Sequence, residues 1–190
     1  MKKINKIAIA GLSLALLTNV SVFANTEKRI FEDNQIISQG MASRSFDYKK
    51  LPQGEYNIDM VIKQHGRKNQ DEDSMMNKGV IDKKIIVDSN GQYYLQITMQ
   101  VIIVDDIEGY LDEFYYYDKD NKAVKVKINK HIDSEGKEIR TVKFPIENPT
   151  STLQRLKVKV YSEGMNTGTG GKGYQLADPV LDWSSVVLRK

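Results

Sequence analysis

The feature that most constrains this chain is a two-residue hydrophobic period that recurs between short turns rich in Asp, Asn and Gly. Tyr56, Ile58, Met60 and Ile62 alternate with Asn57, Asp59 and Lys63, the pattern of a half-buried strand. Ile85 to Val87 meets Tyr93 to Val104 through Asp88-Ser89-Asn90-Gly91, and Asn-Gly is a strong hairpin signal. Leu95, Ile97, Met99, Val101 and Ile103 are then expected on one face. Gly109 to Tyr117 and Val124 to Ile128 flank Asp118-Lys119-Asp120-Asn121, while His131 and Arg140 to Ile146 flank Ser134-Glu135-Gly136-Lys137. Two further hairpins follow from those turns. Leu156, Val158 and Val160 alternate with polar residues, and a glycine-rich turn from Gly164 to Gly173 leads into Tyr174 to Leu181. Roughly eight short strands and no long amphipathic helix predict an all-β chain, an immunoglobulin-like antiparallel β-sandwich without the disulfide and the buried Trp of antibody domains.

Composition narrows the context. A chain of 190 residues, 40% hydrophobic and 28% charged, can build one ordinary core. Its formal charge of +3 traces to Lys2, Lys3 and Lys6, and the residues beyond position 24 hold 25 basic and 25 acidic side chains. Such a balance leaves no electrostatic footprint for nucleic acid or an anionic membrane. Those three lysines precede the apolar run Ile7 to Leu17, and Val22-Phe23-Ala24 supplies small residues at the positions a signal peptidase reads. The expectation is a signal peptide over 1–24, a polar leader segment over 25–50 and a domain over 51–190, with no transmembrane span after cleavage. The expected location is secreted or cell-surface associated. With no cysteine there is no disulfide, thiolate metal site or lipid-modified Cys.

Several chemistries fail on their residues. Gly171-Lys172 lacks the first glycine of a Walker loop, where Asn166 stands, and Gly173 replaces the magnesium-binding hydroxyl. Two distant histidines without cysteine do not favour a zinc site. Asp118 to Asn121 lacks the twelfth-position Glu of a calcium loop and reads as a hairpin turn. No Gly-x-Ser-x-Gly elbow or placed carboxylate pair is present, so no enzyme is expected.

Two methionine-bearing loops remain. The polar segment Gln64 to Asp73 changes abruptly to Ser74-Met75-Met76-Asn77-Lys78, where Asp73 or Ser74 could cap one helical turn at the sandwich rim. Both methionines could instead plug the open end of the core. In the second loop Met165 has no apolar neighbour, which leaves a solvent-exposed turn residue or a thioether seeking a partner. Thioether sulfur is a soft neutral ligand suited to haem iron.

From Leu51 onward the chain resembles the NEAT (near-iron-transporter) family. The motifs are Leu51-Pro52-x-Gly54-x-Tyr56, Asp73-Ser74-Met75-Met76-Asn77, Asn90-Gly91-x-Tyr93-Tyr94, Thr141-Val142-Lys143-Phe144 and Leu156-Lys157-Val158-Lys159-Val160, in the expected order. The resemblance implies an immunoglobulin-like sandwich with a short helical lip, binding haem between that lip and the final hairpin. Haem-binding members carry Tyr-x-x-x-Tyr on that hairpin. Tyr174 matches the second tyrosine, but Gly170 or, in the other alignment, Thr167 stands at the first. Shp-like and Shr-like relatives place methionine there, which implies Met165 opposed by Met75 as iron ligands, Met76 packing beneath and His65 as reserve ligand. Ser74, Lys78 and Lys172 are the expected propionate contacts. The implied function is haem capture and transfer for iron acquisition, with host haemoproteins and other bacterial haem carriers as partners. The alternatives are a module that binds a host protein such as haemoglobin without haem, and an adhesion or carbohydrate-binding module stacking on Tyr115, Tyr117 and Trp183. Phe114 to Tyr117 otherwise reads as a strand edge.

Overall fold

The computed structural model describes residues 47–66, 72–168 and 173–190. The expected signal peptide, the leader up to residue 46 and Lys172 lie outside these residues. The described strands are β1 (Gly54–Gln64), β2 (Val80–Val87), β3 (Tyr93–Met99), β4 (Ile102–Val104), β5 (Ile107–Gly109) and β6 (Glu113–Tyr117). They continue with β7 (Ala123–Val126), β8 (Ile128–Ile132), β9 (Glu138–Ile146), β10 (Leu153–Arg155), β11 (Val158–Tyr161) and β12 (Tyr174–Leu188). Two 3-10 turns, Tyr48–Lys50 and Met75–Lys78, and one helix, α1 (Glu163–Gly168), complete the set.

The fold is a mostly antiparallel sheet wrapped into a sandwich, as the alternating pattern predicts. Ten strands form one sheet, nine along the path β7-β6-β11-β12-β1-β2-β3-β9-β8 and β10 off it on β12. Strand β1 turns the corner. Its first half pairs with β2 from Gly54↔Val87 to Asn57↔Lys84, and its second half follows β12 alone to Gln64↔Ala177. The two layers meet where Phe114 of β6 packs on Phe144 of β9, ring centroids 5.1 Å apart, and Tyr116 stacks on the same ring at 5.6 Å. Inward positions of β3 and β9, including Leu95, Ile97, Val142 and Phe144, are buried, which is the period-two rule acting on a half-buried sheet.

Three hairpins close by one device. Asp88, Asp118 and Asp133 each accept with Oδ1 from the backbone N–H groups two and four residues on, at 2.8 to 3.0 Å. The residue that turns left-handed is Gly91 (φ 76), Asn121 (φ 56) and Gly136 (φ 79) in turn, residue types that tolerate that region. The Asp118 carboxylate is thus engaged by its own turn.

The opening motif is tied to the first hairpin. Buried Leu51 donates its N–H to the Tyr93 hydroxyl at 2.7 Å, which in turn donates to the Tyr48 carbonyl at 3.2 Å. Tyr48 also stacks on Trp183 at 6.4 Å, so the packed domain begins ahead of Leu51.

Five expectations need correction. The run Tyr93 to Val104 ends at Met99, because Gln100 and Val101 step out and Ile102–Val104 pairs back with Ile107–Gly109 through left-handed Asp105 and Asp106. Ile103 is 60% exposed and leaves the face of Leu95 and Ile97. Glu113–Tyr117 is no edge, since it pairs with both β7 and β11. Trp183 is 1% exposed, donates Nε1–H to Gln154 Oε1 at 3.0 Å, and forms no surface with Tyr115 and Tyr117. The last strand runs to Leu188, beyond Leu181.

Candidate functional site

The lip is built by backbone bonds to β1. Ser74 donates its N–H to the Ile62 carbonyl at 2.7 Å, Gln64 donates to the Glu72 carbonyl at 2.9 Å, and Lys63 bridges Asp73 both in register and by a 2.7 Å ion pair. Asn77 then takes the place of a strand partner. Its Oδ1 accepts from Ile62 N–H at 2.8 Å, and its Nδ2 donates to the carbonyls of Ile62 at 2.8 Å and Ser74 at 3.0 Å. This clamp holds a 3-10 turn over Met75–Lys78 capped by Ser74, whose Oγ accepts from Met76 N–H at 3.3 Å.

Capping sorts the methionines. Met76 is 6% exposed and joins the core, whereas Met75 is 49% exposed. Of the two sequence readings of the pair, each therefore fits one residue: Met76 plugs the sandwich and Met75 presents a free-standing thioether. Lys78 is exposed at the end of the turn, with no ion-pair partner among the described residues.

Met165 does not sit in an extended hairpin tip. The segment after β11 winds into α1, and Met165 is half-buried against the core. The β4–β5 hairpin lies between α1 and the lip. A Cβ on Gly79 would meet Ile102 Cγ1 at 2.7 Å, and a Cβ on Gly164 would collide with the Glu108 carbonyl, so both glycines permit close approach. Ile102 and Gly109 pair directly across that hairpin.

Beside the lip stands a wall formed by the outer faces of β6, β11 and β12. Register places Tyr115, Lys159 and Leu176 in one row and Glu113, Tyr161 and Tyr174 in the next. Tyr174 is 50% exposed and Leu176 38%. The rings of Tyr161 and Tyr174 lie 4.7 Å apart, and Lys159 Nζ sits 4.2 Å from the Tyr115 ring and 5.0 Å from the Tyr174 ring.

The phenols of this wall are committed. Tyr115 and Tyr174 both donate to Glu113 Oε2, at 2.5 and 2.8 Å, and Lys125 Nζ lies 3.0 Å from Glu113 Oε1. Hydrogen bonds from Tyr115, then Tyr174, then Lys125 draw the Glu113 carboxyl down to about 2. The bond to Glu113 pushes Tyr174 up to about 12, and Tyr161, which donates to Glu163, is likewise pushed up to about 12. Both tyrosines keep their protons through the neutral range, and neither is a ready phenolate.

Sequence reasoning missed the partner of His65. At the lip end of β1 its Nδ1 lies 2.7 Å from Asp178 Oδ1, and Arg155 Nη1 lies 3.1 Å from the other carboxylate oxygen. The residues are 113 apart in sequence, and only the β1–β12 register brings them together. Asn77 was visible as the residue closing Ser-Met-Met, although its clamp was not.

Elsewhere, a shallow depression of about 280 Å³ opens where β1 parts from β2, near Asn57, Asp59, Asp82 and Ser185. Its Asp82 carboxylate is held below the ordinary range by its hydrogen bond from Arg189. Its lining sets Asp59, Asp82 and Lys83 among Ile58, Ile81 and Val187, so it is smaller and more charged than a slot for a planar apolar ligand. Among the described residues no cluster of three or more His, Cys, Asp or Glu could hold a metal ion, and no helix is long and apolar enough to cross a membrane.

In comparison with known families the chain matches the NEAT model, described as an iron transport-associated domain, over residues 49–172. No curated protein and no solved structure matches.

Proposed function

The chain belongs to the NEAT family, whose domains are associated with iron transport, and from that premise we propose that it is an exported haem carrier. In this reading it captures haem from host haemoproteins and passes it to other bacterial carriers without catalysing a reaction. The basic and apolar residues at the start of the chain support export.

The observation that carries the reading is the donor set. Met75 offers an exposed thioether on a clamped lip, while no tyrosine stands at the first position of the family's hairpin motif, and the nearby phenols of Tyr174 and Tyr161 are bonded to carboxylates. Soft neutral donors therefore fit haem iron here better than phenolate. Met75 on the lip and Met165 on α1 would hold the iron through their thioethers. When bound, haem supplies the iron and the anionic propionates. Ser74, whose O–H still has a proton to donate, Lys78 and Lys172 are the proposed propionate contacts, with the Tyr174 ring flanking the slot. Two thioethers favour ferrous over ferric iron relative to phenolate, so the bound haem is expected at a higher reduction potential than in tyrosine-ligated relatives.

A haemin titration followed by absorption spectroscopy tests this. Wild type should bind stoichiometrically, Met165→Ala should lose the low-spin features and retain haem poorly, and Met75→Ala should do so in part. Met76→Ala should instead lower stability by about 2–5 kcal/mol with its spectrum kept. A wild-type spectrum and dissociation rate in Met165→Ala would remove the bis-methionine assignment, while no haemin uptake by wild type would remove the carrier reading.

A further inference from the structure

We infer that His65 is an iron ligand of the ferric carrier, binding through Nε2 at the rim where β1 meets the lip. This rests on the haem-carrier reading and adds a ligand that responds to oxidation state.

The ring is oriented by a built partner. Asp178, whose side chain is 7% exposed, lies 2.7 Å from Nδ1, and a buried carboxylate against one ring nitrogen fixes the proton there. Arg155 Nη1, 3.1 Å from the second oxygen, already supplies the positive charge that Asp178 requires. With Nδ1 bonded to Asp178, Nε2 is the ring nitrogen left to meet a metal. That nitrogen has no hydrogen-bond partner among the described residues, and the side chain is 32% exposed. This is the arrangement in which histidine serves as a metal ligand, the carboxylate raising its basicity.

Its place is equally specific. Register pairs Lys63 with Asp178 on the outer face, His65 just past the end of β1 reaches the same Asp178, and exposed Leu176 lies two residues before Asp178 on that face of β12. On its other side, Ser74 pairs with Ile62 three residues back, so the imidazole lies roughly 10 Å along β1 from the lip cap. His65 thus stands between the lip that carries Met75 and the aromatic wall that carries Tyr174.

The chemistry assigns the oxidation state. A thioether holds ferrous iron well and ferric iron poorly, whereas an imidazole made more basic by a carboxylate holds ferric iron. Haem taken up as ferric would be held by His65, and one electron from a reductant outside the chain, such as dithionite, would shift the preference of the iron to thioether. The carrier would then bind haem in both states with different ligands.

The test uses the purified protein with histidine nitrogens labelled by 15N. Without haem, NMR should show the Nδ1–H of His65 hydrogen-bonded to Asp178, and a ring that bonds Asp178 through Nε2 instead overturns the inference. With haemin, pulsed EPR of the ferric form should show coupling to an imidazole nitrogen. His65→Ala and His65→Gln, the latter keeping a hydrogen bond to Asp178, should both lose that coupling and release ferric haem about tenfold faster or more. Their dithionite-reduced spectra should stay as wild type. Unchanged ferric EPR and release in both variants overturns the inference and leaves the carrier reading standing, whereas a wild type that takes up no haemin overturns both.

Discussion

The β2–β3–β9 layer and the β6–β11–β12 wall bury the same kinds of side chain and differ in what they show to the outside. Inward, the first presents Ile85, Leu95, Ile97, Val142 and Phe144, and the second Phe114, Val158, Val160, Leu181 and Trp183. Outward, the first layer sets Lys84, Gln96 and Lys143 in one row and joins Thr98 to Thr141 by a 3.2 Å hydroxyl contact. The second sets Tyr115, Lys159 and Leu176 beside Glu113, Tyr161 and Tyr174, next to an exposed methionine lip. Hydrophobic alternation specifies only which face turns inward. What the outer face can bind is decided by which residues register brings into one row.

The comparison breaks most severely if the inward faces are not one core. Phe144 contacts both Phe114 and Tyr116 across the layers, so Phe144→Ala should cost about 3–5 kcal/mol. Urea denaturation measures it, and a loss below about 1 kcal/mol would mean that the layers do not depend on this contact. A smaller effect is expected at the rim. Asn77→Ala removes the donor and acceptor that satisfy the Ile62 backbone, at a cost of about 1–3 kcal/mol. Because the same clamp holds Met75, the variant should also release haem faster and lose hydrogen-exchange protection at Ile62. Retained protection would show that the lip is held by something other than Asn77.

These two residues also mark how far the sequence could be read. The layers were legible because period two and the Asp-Asn-Gly turns are local signals, and Phe144 fell in phase with Val142. Where two short elements compete for one apolar run, local signals fail. Leu95 to Ile103 reads as one face, yet Asp105 and Asp106 in left-handed conformation fold Ile102–Val104 back into a separate hairpin. Met165 reads as a lone turn residue because its core neighbours are distant in sequence. The lip was visible as Ser-Met-Met-Asn, since an N-cap and its turn are contiguous. The His65–Asp178 pair and the three-way bond at Glu113 were not visible, since each needs partners brought together by β12.

The smallest predicted effect tests the wall itself. Glu113 is partly exposed, so its network should alter stability only modestly, but the pH dependence has a definite sign. The Glu113 carboxyl is held at about 2 against an ordinary 4.5, chiefly by the hydrogen bonds from Tyr115 and then Tyr174. A depressed carboxyl stabilises the fold above its unfolded pKa, and that contribution is lost as pH falls from about 4.5 through about 2. Tyr161 and Tyr174, raised from 10 to about 12 by their bonds to Glu163 and Glu113, act at the other end. Their contribution is complete below pH 10 and is lost as pH rises toward about 12. Glu113→Gln should therefore flatten the acid limb of a urea-midpoint profile, and Tyr174→Phe should move the Glu113 titration upward by removing its second donor. Carbon-13 NMR of the Glu113 carboxyl reads that titration directly. If Glu113 titrates at its ordinary 4.5 in the wild type, its phenol partners are not bonded to it in solution. Tyr174 would then be free to ionise, and phenolate would return as an iron ligand to set against Met75, Met165 and His65.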